Sequence, residues 1–182
     1  MPAQSVLQLR VALCEVEPTV WRRLLVPGTV NLNKLHLMLQ AAMGWEDSHL
    51  HAFEIGESRY GMQFDDFPPD ELDESAVTME NAISDTDRFT YEYDFGDSWT
   101  HEIVVEDRWQ SPVGLKFAVC VDGANRCPPE DCGGAGGYEL LLEALADPTH
   151  PQHNELAEWI PEPIDPTEFD LAFTNARLQA VR

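Results

Sequence analysis

Apolar and polar positions alternate most regularly in Phe-Thr-Tyr-Glu-Tyr-Asp-Phe-Gly-Asp-Ser-Trp-Thr-His-Glu-Ile, residues 89–103. A period of two on both sides of a Gly-Asp-Ser turn predicts two half-buried antiparallel strands. A two-residue loop would put each aromatic on the same face as a polar residue. A three-residue loop, Gly96–Ser98, sets Phe95 opposite Trp99, Tyr93 opposite His101 and Tyr91 opposite Ile103. Since a slip of one residue turns every side chain over, the three-residue loop is expected. Tyr91, Tyr93, Phe95, Trp99, His101 and Ile103 then share one face, with Glu92, Asp94 and Glu102 on the other. Gly96 or Asp97 is expected to supply the positive φ of the loop.

The rest of the chain reads from the same periodicities. Leu7, Leu9, Val11 and Leu13 alternate with polar residues, and Val20–Val26 follows a Glu-Pro-Thr turn, so an opening hairpin is predicted. Asn31 is a good N-cap. Leu32, Leu35, Leu39 and Ala42, widened by Met38 and Met43, form the stripe of a core-facing helix that Gly44 ends. Short strands are predicted at His51–Ile55 and from Arg59, and a helical turn at Thr78–Ile83. Residues 61–77, rich in Asp, Glu and Pro, are expected to be an exposed, mobile acidic loop without the ligand spacing of an EF-hand. Leu115–Val121 is expected as an edge strand, and Cys127–Gly137 as a stiff, then flexible, loop. Helices are predicted over 138–146, over 151–160 with Leu156, Trp159 and Ile160 inward, and at the C-terminus, anchored by Phe169, Phe173 and Leu178. The class is α+β: a mixed, mainly antiparallel sheet crossed by a helix, β-grasp-like in outline, with C-terminal helices packed on it. With neither repeat nor linker, residues 1–182 read as one domain, sheet-rich over 5–121 and loop-helical over 122–182.

Charge narrows the partners. The chain has 33 acidic and 11 basic residues and a net charge of −22. Nucleic-acid affinity rests on Lys and Arg neutralising phosphates. Direct nucleic-acid binding is therefore disfavoured unless Arg10, Arg22, Arg23 and Lys34 gather on one face. Anionic membranes are disfavoured likewise, while basic proteins and metal cations suit the charge. No apolar run approaches the ~18 residues of a membrane span. The first residues lack the features of a signal peptide. The expectation is a cytoplasmic protein with reduced thiols.

Candidate chemistry is sparse. Cys120, Cys127 and Cys132 are spaced more widely than zinc knuckles, and a zinc site would need a fourth ligand such as His101. Cys132 near a helix N-terminus could be activated, but Glu130 and Asp131 oppose a thiolate. The Gly-rich run 133–137 lacks the Lys-Ser/Thr of a phosphate-binding loop. His49, His51 and His101 could form a metal or acid-base set, with Asp97 rather than Asp94 as partner because Asp94 is expected on the face opposite His101. Buried histidines more often hydrogen-bond to a neighbouring hydroxyl or carbonyl.

Five stretches together resemble the plasmid pRiA4b ORF-3 family. They are Trp21-Arg-Arg-Leu-Leu-Val-Pro27, Gln40-Ala-Ala-Met-Gly-Trp-Glu-Asp-Ser-His-Leu-His51, Tyr91–Ile103, Cys127-Pro-Pro-Glu-Asp-Cys-Gly-Gly134 and Leu145-Ala-Asp-Pro-Thr-His-Pro151. The resemblance implies a compact α+β domain without a settled activity. Some members carry resolvase-like labels or a fused DNA-binding module, which this acidic chain gives no reason to carry over. The family's recurrent residues fall here on His49, His51, Asp94, Gly96, Asp97, Trp99, His101, Cys127, Glu130, Asp131 and Cys132. The first expectation is a protein-interaction module, not an enzyme. It would present a groove near the 96–98 and 127–137 loops to a partner, on the strength of the exposed acids and of Trp45 and Trp99 borne on loops. The alternatives are a metal-dependent, hydrolase-like enzyme using the His, Asp and Cys residues, and an accessory protein of DNA transactions.

Overall fold

A computed structural model describes residues 3–63, 71–160 and 164–181. Among the described residues it contains an eight-stranded, mainly antiparallel sheet and five helices, an α+β fold. The opening hairpin is β1 (Gln4–Leu13) and β2 (Trp21–Pro27). The helix α1 (Leu32–Met43) follows, with Asn31 Oδ1 accepting from Lys34 N and Gly44 left-handed at φ 101°. Its stripe lies buried on one face of the sheet, with Leu32, Leu35, Met38, Leu39, Ala42 and Met43 inward. Next come β3 (His51–Ile55), β4 (Ser58–Gly61), β5 (Leu72–Asp73), α2 (Met79–Ala82), β6 (Arg88–Tyr93), β7 (Trp99–Ser111) and β8 (Val119–Ala124). The strand order is β5-β4-β3-β6-β7-β1-β2-β8, and only β4–β5 runs parallel. The helix crossing after an opening hairpin is as expected, on a sheet that is wider than a grasp outline requires.

One face of this sheet is dry and the other is ionic. Leu7, Leu9, Val11, Leu24, Val26, Phe53, Tyr91, Tyr93, Trp99 and Ile103 belong to the buried cluster. The opposite face carries Arg23 with Glu106 and Asp122, Arg88 with Glu102, and Arg59 with Glu54, Glu71 and Glu92. Arg22 and Arg23 are adjacent on β2, so strand alternation sends them to opposite faces. Arg10 and Arg23 meet across the hairpin over Trp21, but Arg22 lies on the other face, so the four basic residues named above do not share one face.

The central hairpin keeps the expected face but not the expected pairs. Tyr93 pairs with Trp99, Tyr91 with His101 and Phe89 with Ile103. The loop is five residues, 94–98, because Asp94 turns left-handed at φ 56° and Ser98 at φ 55°. Asp94 O accepts from Ser98 N at 2.6 Å, and its Oδ1 accepts from Gly96 N at 3.0 Å. A shift of two residues preserves the facing of each ring. Phe95, expected in the core, is 42% exposed at the loop.

Beyond the sheet, α3 (Gly134–Ala146), α4 (His153–Trp159) and α5 (Leu171–Ala180) follow. The glycine run expected as a flexible loop is instead the first turn of α3, with Gly137 N donating to Gly133 O. Tyr138, Leu141 and Leu178 join the sheet's apolar cluster. Trp159 and Phe173, expected inward, are 43% and 61% exposed. The prolines flanking α4 confine it to two turns, and α5 turns only Thr174 and Leu178 fully inward. Residues 64–70 of the predicted acidic loop lie outside the described residues. Within 71–77, Glu74 is buried instead of exposed.

Gly134 shows why this junction needs glycine. Its φ is +69°, and a Cβ there would lie 2.6 Å from the Asp97 carbonyl oxygen. Gly134→Ala is expected to destabilise the protein by about 1–3 kcal/mol, through strain and a forced separation of α3 from the 94–98 loop. Urea unfolding compared with wild type measures it.

Candidate functional site

Two polar clusters form around the buried face of the hairpin. The first is interior. Tyr91 OH accepts from Gln40 Nε2 at 3.0 Å and meets His36 Nδ1 at 2.8 Å. A phenol has one proton, so it donates to Nδ1, and His36 Nε2–H donates to Asp47 Oδ1 at 2.7 Å. His36 stacks on His51, ring centroids 3.4 Å apart and planes 2° apart. His51 Nε2 meets Glu74 Oε2 at 2.8 Å, and both side chains are buried. His36, Asp47 and His51 could in principle offer ligands to one ion. Yet parallel rings point their nitrogen lone pairs alongside each other, not at a common point, so this cluster reads as structural. Glu74 was invisible in sequence, one acid among six in a polar run. Only the need of a buried His51 for a partner hinted at such a residue.

The second cluster lies where three loops meet. After α1, the chain turns at Gly44 and again at Asp47, φ 56°, and runs into β3. This places His49 beside Tyr93, ring centroids 5.8 Å apart. The 94–98 loop brings Asp94, which is 8% exposed; its Oδ1 is used within the loop, leaving Oδ2 directed outward. The 127–133 loop brings Glu130 and Asp131, the latter at φ 57°. His49 Nε2 lies 3.1 Å from Asp131 Oδ1, 3.6 Å from Asp94 Oδ2 and 3.8 Å from Glu130 Oε2. None of these contacts combines the distance and the direction of a hydrogen bond, so the nitrogen makes none among the described residues. Glu130 Oε1 accepts from Glu46 N at 2.9 Å and from Tyr93 OH at 3.1 Å. Tyr93 OH in turn accepts from Ser48 N at 3.0 Å. Burial holds the Tyr93 phenol well above its ordinary value, and Glu130 adds to that.

Of the residues expected from sequence, the structure therefore brings together His49, Asp94, Glu130 and Asp131. It does not bring the others. His51 points into the interior cluster, and His101 is fully buried, its Nδ1 against Tyr91 O at 3.2 Å. Asp97, expected as the partner of the histidines, instead accepts from Gly133 N at 3.0 Å and braces α3. Asp94 lies beside His49 in its place, because it leaves the strand at the left-handed turn instead of continuing the alternation. Trp45 and Trp99 are 2% and 1% exposed, so neither is a surface anchor; Trp45 Nε1 donates to Pro128 O at 3.0 Å.

The proposed thiol set does not assemble. Among the described residues no group of three potential ligands contains a cysteine. Cys120 Sγ faces Asp122 O on the edge strand. Cys127 lies beneath Arg22, its thiol pushed well up by burial. Burial, then the charges of Asp97 and Asp131, pushes the Cys132 thiol up to about 12, so the start of α3 does not activate it.

An α+β protein with a one-sided sheet and a His-carboxylate cluster at its loop junction is thus defined. The chain belongs to the family described as "Plasmid pRiA4b ORF-3-like protein", whose profile matches residues 5–173. It is 43% identical over 157 residues to "Uncharacterized protein y4hQ" of Sinorhizobium fredii, covering 85% of this chain and 80% of that one. It also resembles the crystal structure of the "Protein of Unknown Function MM3350" from Methanosarcina mazei Go1. The TM-score is 0.84 and the identity 30%, over 93% of this chain and 96% of that one. No helix among the described residues is long and apolar enough to cross a membrane.

The buried histidines make stability depend on pH. Burial lowers His101 to about 4, and burial with the neighbouring His51 lowers His36 to about 4. Both are neutral when folded, while the unfolded chain binds protons near the ordinary value of 6.5. The unfolded state therefore holds more protons between about pH 6.5 and 4, and stability falls as pH falls through that window. By about pH 5 each histidine is expected to cost about 2 kcal/mol relative to pH 7. Urea unfolding at the two pH values measures the sum, and His101→Leu should remove about half of the difference.

Proposed function

We propose that this protein is a single-domain binding module built on a divalent-cation site, with His49, Asp94 and Asp131 as ligands and Glu130 within reach. One observation carries the reading: three carboxylate oxygens face a ring nitrogen that has no hydrogen-bond partner. Ligands bound at ~2.1 Å and at right angles or tetrahedral angles to each other lie about 3.0–3.4 Å apart. Spacings of 3.1 and 3.6 Å need only small side-chain movements to reach that geometry. One imidazole with carboxylates suits Mn²⁺, Fe²⁺ or Zn²⁺ better than a soft thiolate-preferring ion. The hydrogen bonds from Glu46 N and Tyr93 OH orient Glu130, and those within the 94–98 loop orient Asp94, as outer contacts do around metal ligands. The four free thiols support a reducing, cytoplasmic setting. The net charge of −22 favours a basic protein partner over nucleic acid.

A second reading, a metal-dependent hydrolase, is favoured by one feature: Glu130 also lines a cleft of about 810 Å³, large enough for a substrate beside the ion.

Calorimetric titration of chelator-treated protein with Mn²⁺ and Zn²⁺ tests both. One ion per chain is expected, with affinity reduced by about 100-fold or more in His49→Ala or Asp94→Asn, because losing even an outer contact costs about 10–100-fold. Absence of saturable binding of either ion would remove the cation reading. Metal-dependent turnover on ester, amide and phosphodiester panels would select the hydrolase.

A further inference from the structure

The same cleft has a second chemistry, independent of the cation site. Its walls are the C-terminal end of α1, the 126–130 segment and α5. Arg22, Arg126 and Arg177 line it, three cations in a chain with only 11 basic residues. Arg22 is 4% exposed and, among the described residues, forms no ion pair. Its Nε donates to Ala42 O at 3.0 Å, and its Nη1 to Trp21 O at 2.8 Å and Ala124 O at 2.9 Å. The Phe169 ring lies 4.4 Å from its guanidinium carbon. Nη2 has no hydrogen-bond partner among the described residues. Arg177 is placed similarly: Nε donates to Ala41 O at 3.3 Å and Nη2 to Trp45 O at 2.6 Å, and Nη1 has no partner among the described residues.

Among the described residues, no carboxylate of the cleft forms an ion pair with Arg22 or Arg177. Glu168 binds Arg126, Asp170 Oδ1 caps α5 by accepting from Phe173 N, and Glu130 is held by Glu46 N and Tyr93 OH. Glu46 stands exposed at the rim. A buried cation held only by carbonyls and a ring keeps an unmet demand for an opposite charge. Beside it the cleft offers Phe169, Phe173, Ile160, Ile164 and Pro128, an apolar wall of a size usual for small-molecule sites.

We propose that the cleft binds an organic oxyanion, an apolar or aromatic body carrying one carboxylate or phosphate. The anionic group sits on Arg22 and Arg177, and the body lies against Phe169 and Phe173. A guanidinium presents donors in the fork that matches either oxyanion.

The test is calorimetric titration of the full chain with naphthalene-1-acetate, 1-naphthyl phosphate and the neutral naphthalene-1-acetamide, in the presence of EDTA. At least one acid is expected to bind saturably, about tenfold or more tighter than the amide, since a charge-assisted contact is at stake. Which acid binds tighter distinguishes a carboxylate from a phosphate ligand. Phe173→Glu, at an exposed position, is expected to weaken binding about tenfold without disturbing the core. Arg177→Gln should do the same, and the Phe173 variant keeps the test decisive if loss of the α1 contacts unfolds that protein. The proposal is overturned if neither acid binds, if the amide binds as tightly, or if Phe173→Glu binds as wild type does. Binding that appears only when EDTA is replaced by Mn²⁺ would also overturn it, because the anion would then sit on the ion. Failure of the cation site leaves the EDTA result untouched, so the two ideas fail separately.

Discussion

Two buried phenol hydroxyls organise this molecule. Tyr91 and Tyr93 point the same way from β6, beneath α1, where their rings are needed to fill the core. Their hydroxyls cannot be left without partners in that setting. Each one therefore recruits a set of polar groups from a different part of the chain. Tyr91 draws Gln40 and His36 from α1, and through His36 reaches Asp47 and the stacked His51. Tyr93 draws the backbone of Ser48 and the carboxylate of Glu130. The interior cluster and the loop junction are two answers to one requirement, repeated two residues apart on a strand.

That arrangement explains why the candidate site is acidic and half-open while its neighbour is closed. Tyr91 lies in the middle of the sheet under a helix, so its partners are sealed off. Tyr93 is the last residue of its strand, so its partners must come from loops. The loops bring charge with them. Asp94 is fixed because it begins the turn, Glu130 because it holds Tyr93, and Asp131 because its backbone turns left-handed just before the glycines of α3. His49 lies among the three. On the far side of Glu130, Arg22 and Arg177 serve α1 and α5 by binding backbone carbonyls, and this is why they form no ion pair among the described residues.

The faces of the strands, the stripe of α1, the Asn31 and Gly44 caps and the absence of a thiol-activating environment at Cys132 were legible in the residues themselves. Each depends on neighbours within a few positions. The pairing of the hairpin was legible in its parity and not in its register. Asp94 could continue the strand or leave it, and alternation alone does not distinguish a three-residue loop from a five-residue one. Phe95 looked like core for the same reason. The recurrent acids and histidines were visible as candidates, but their grouping was not. His49 and His51 differ by two residues and end in separate clusters, because the strand begins between them.

The sequence by itself determined which residues can be buried and on which side of each element, since periodicity and capping are local properties of a chain in water. Only the tertiary structure decided which polar groups meet. Partnerships such as His51 with Glu74, Tyr93 with Glu130 and Asp97 with Gly133 span separations from 23 to 37 residues. They arise because the sheet order and two left-handed turns carry distant loops to the ends of the same hydroxyl-bearing strand. No local pattern encodes that encounter, because it is settled by the demand of buried polar atoms for partners once the apolar face has closed.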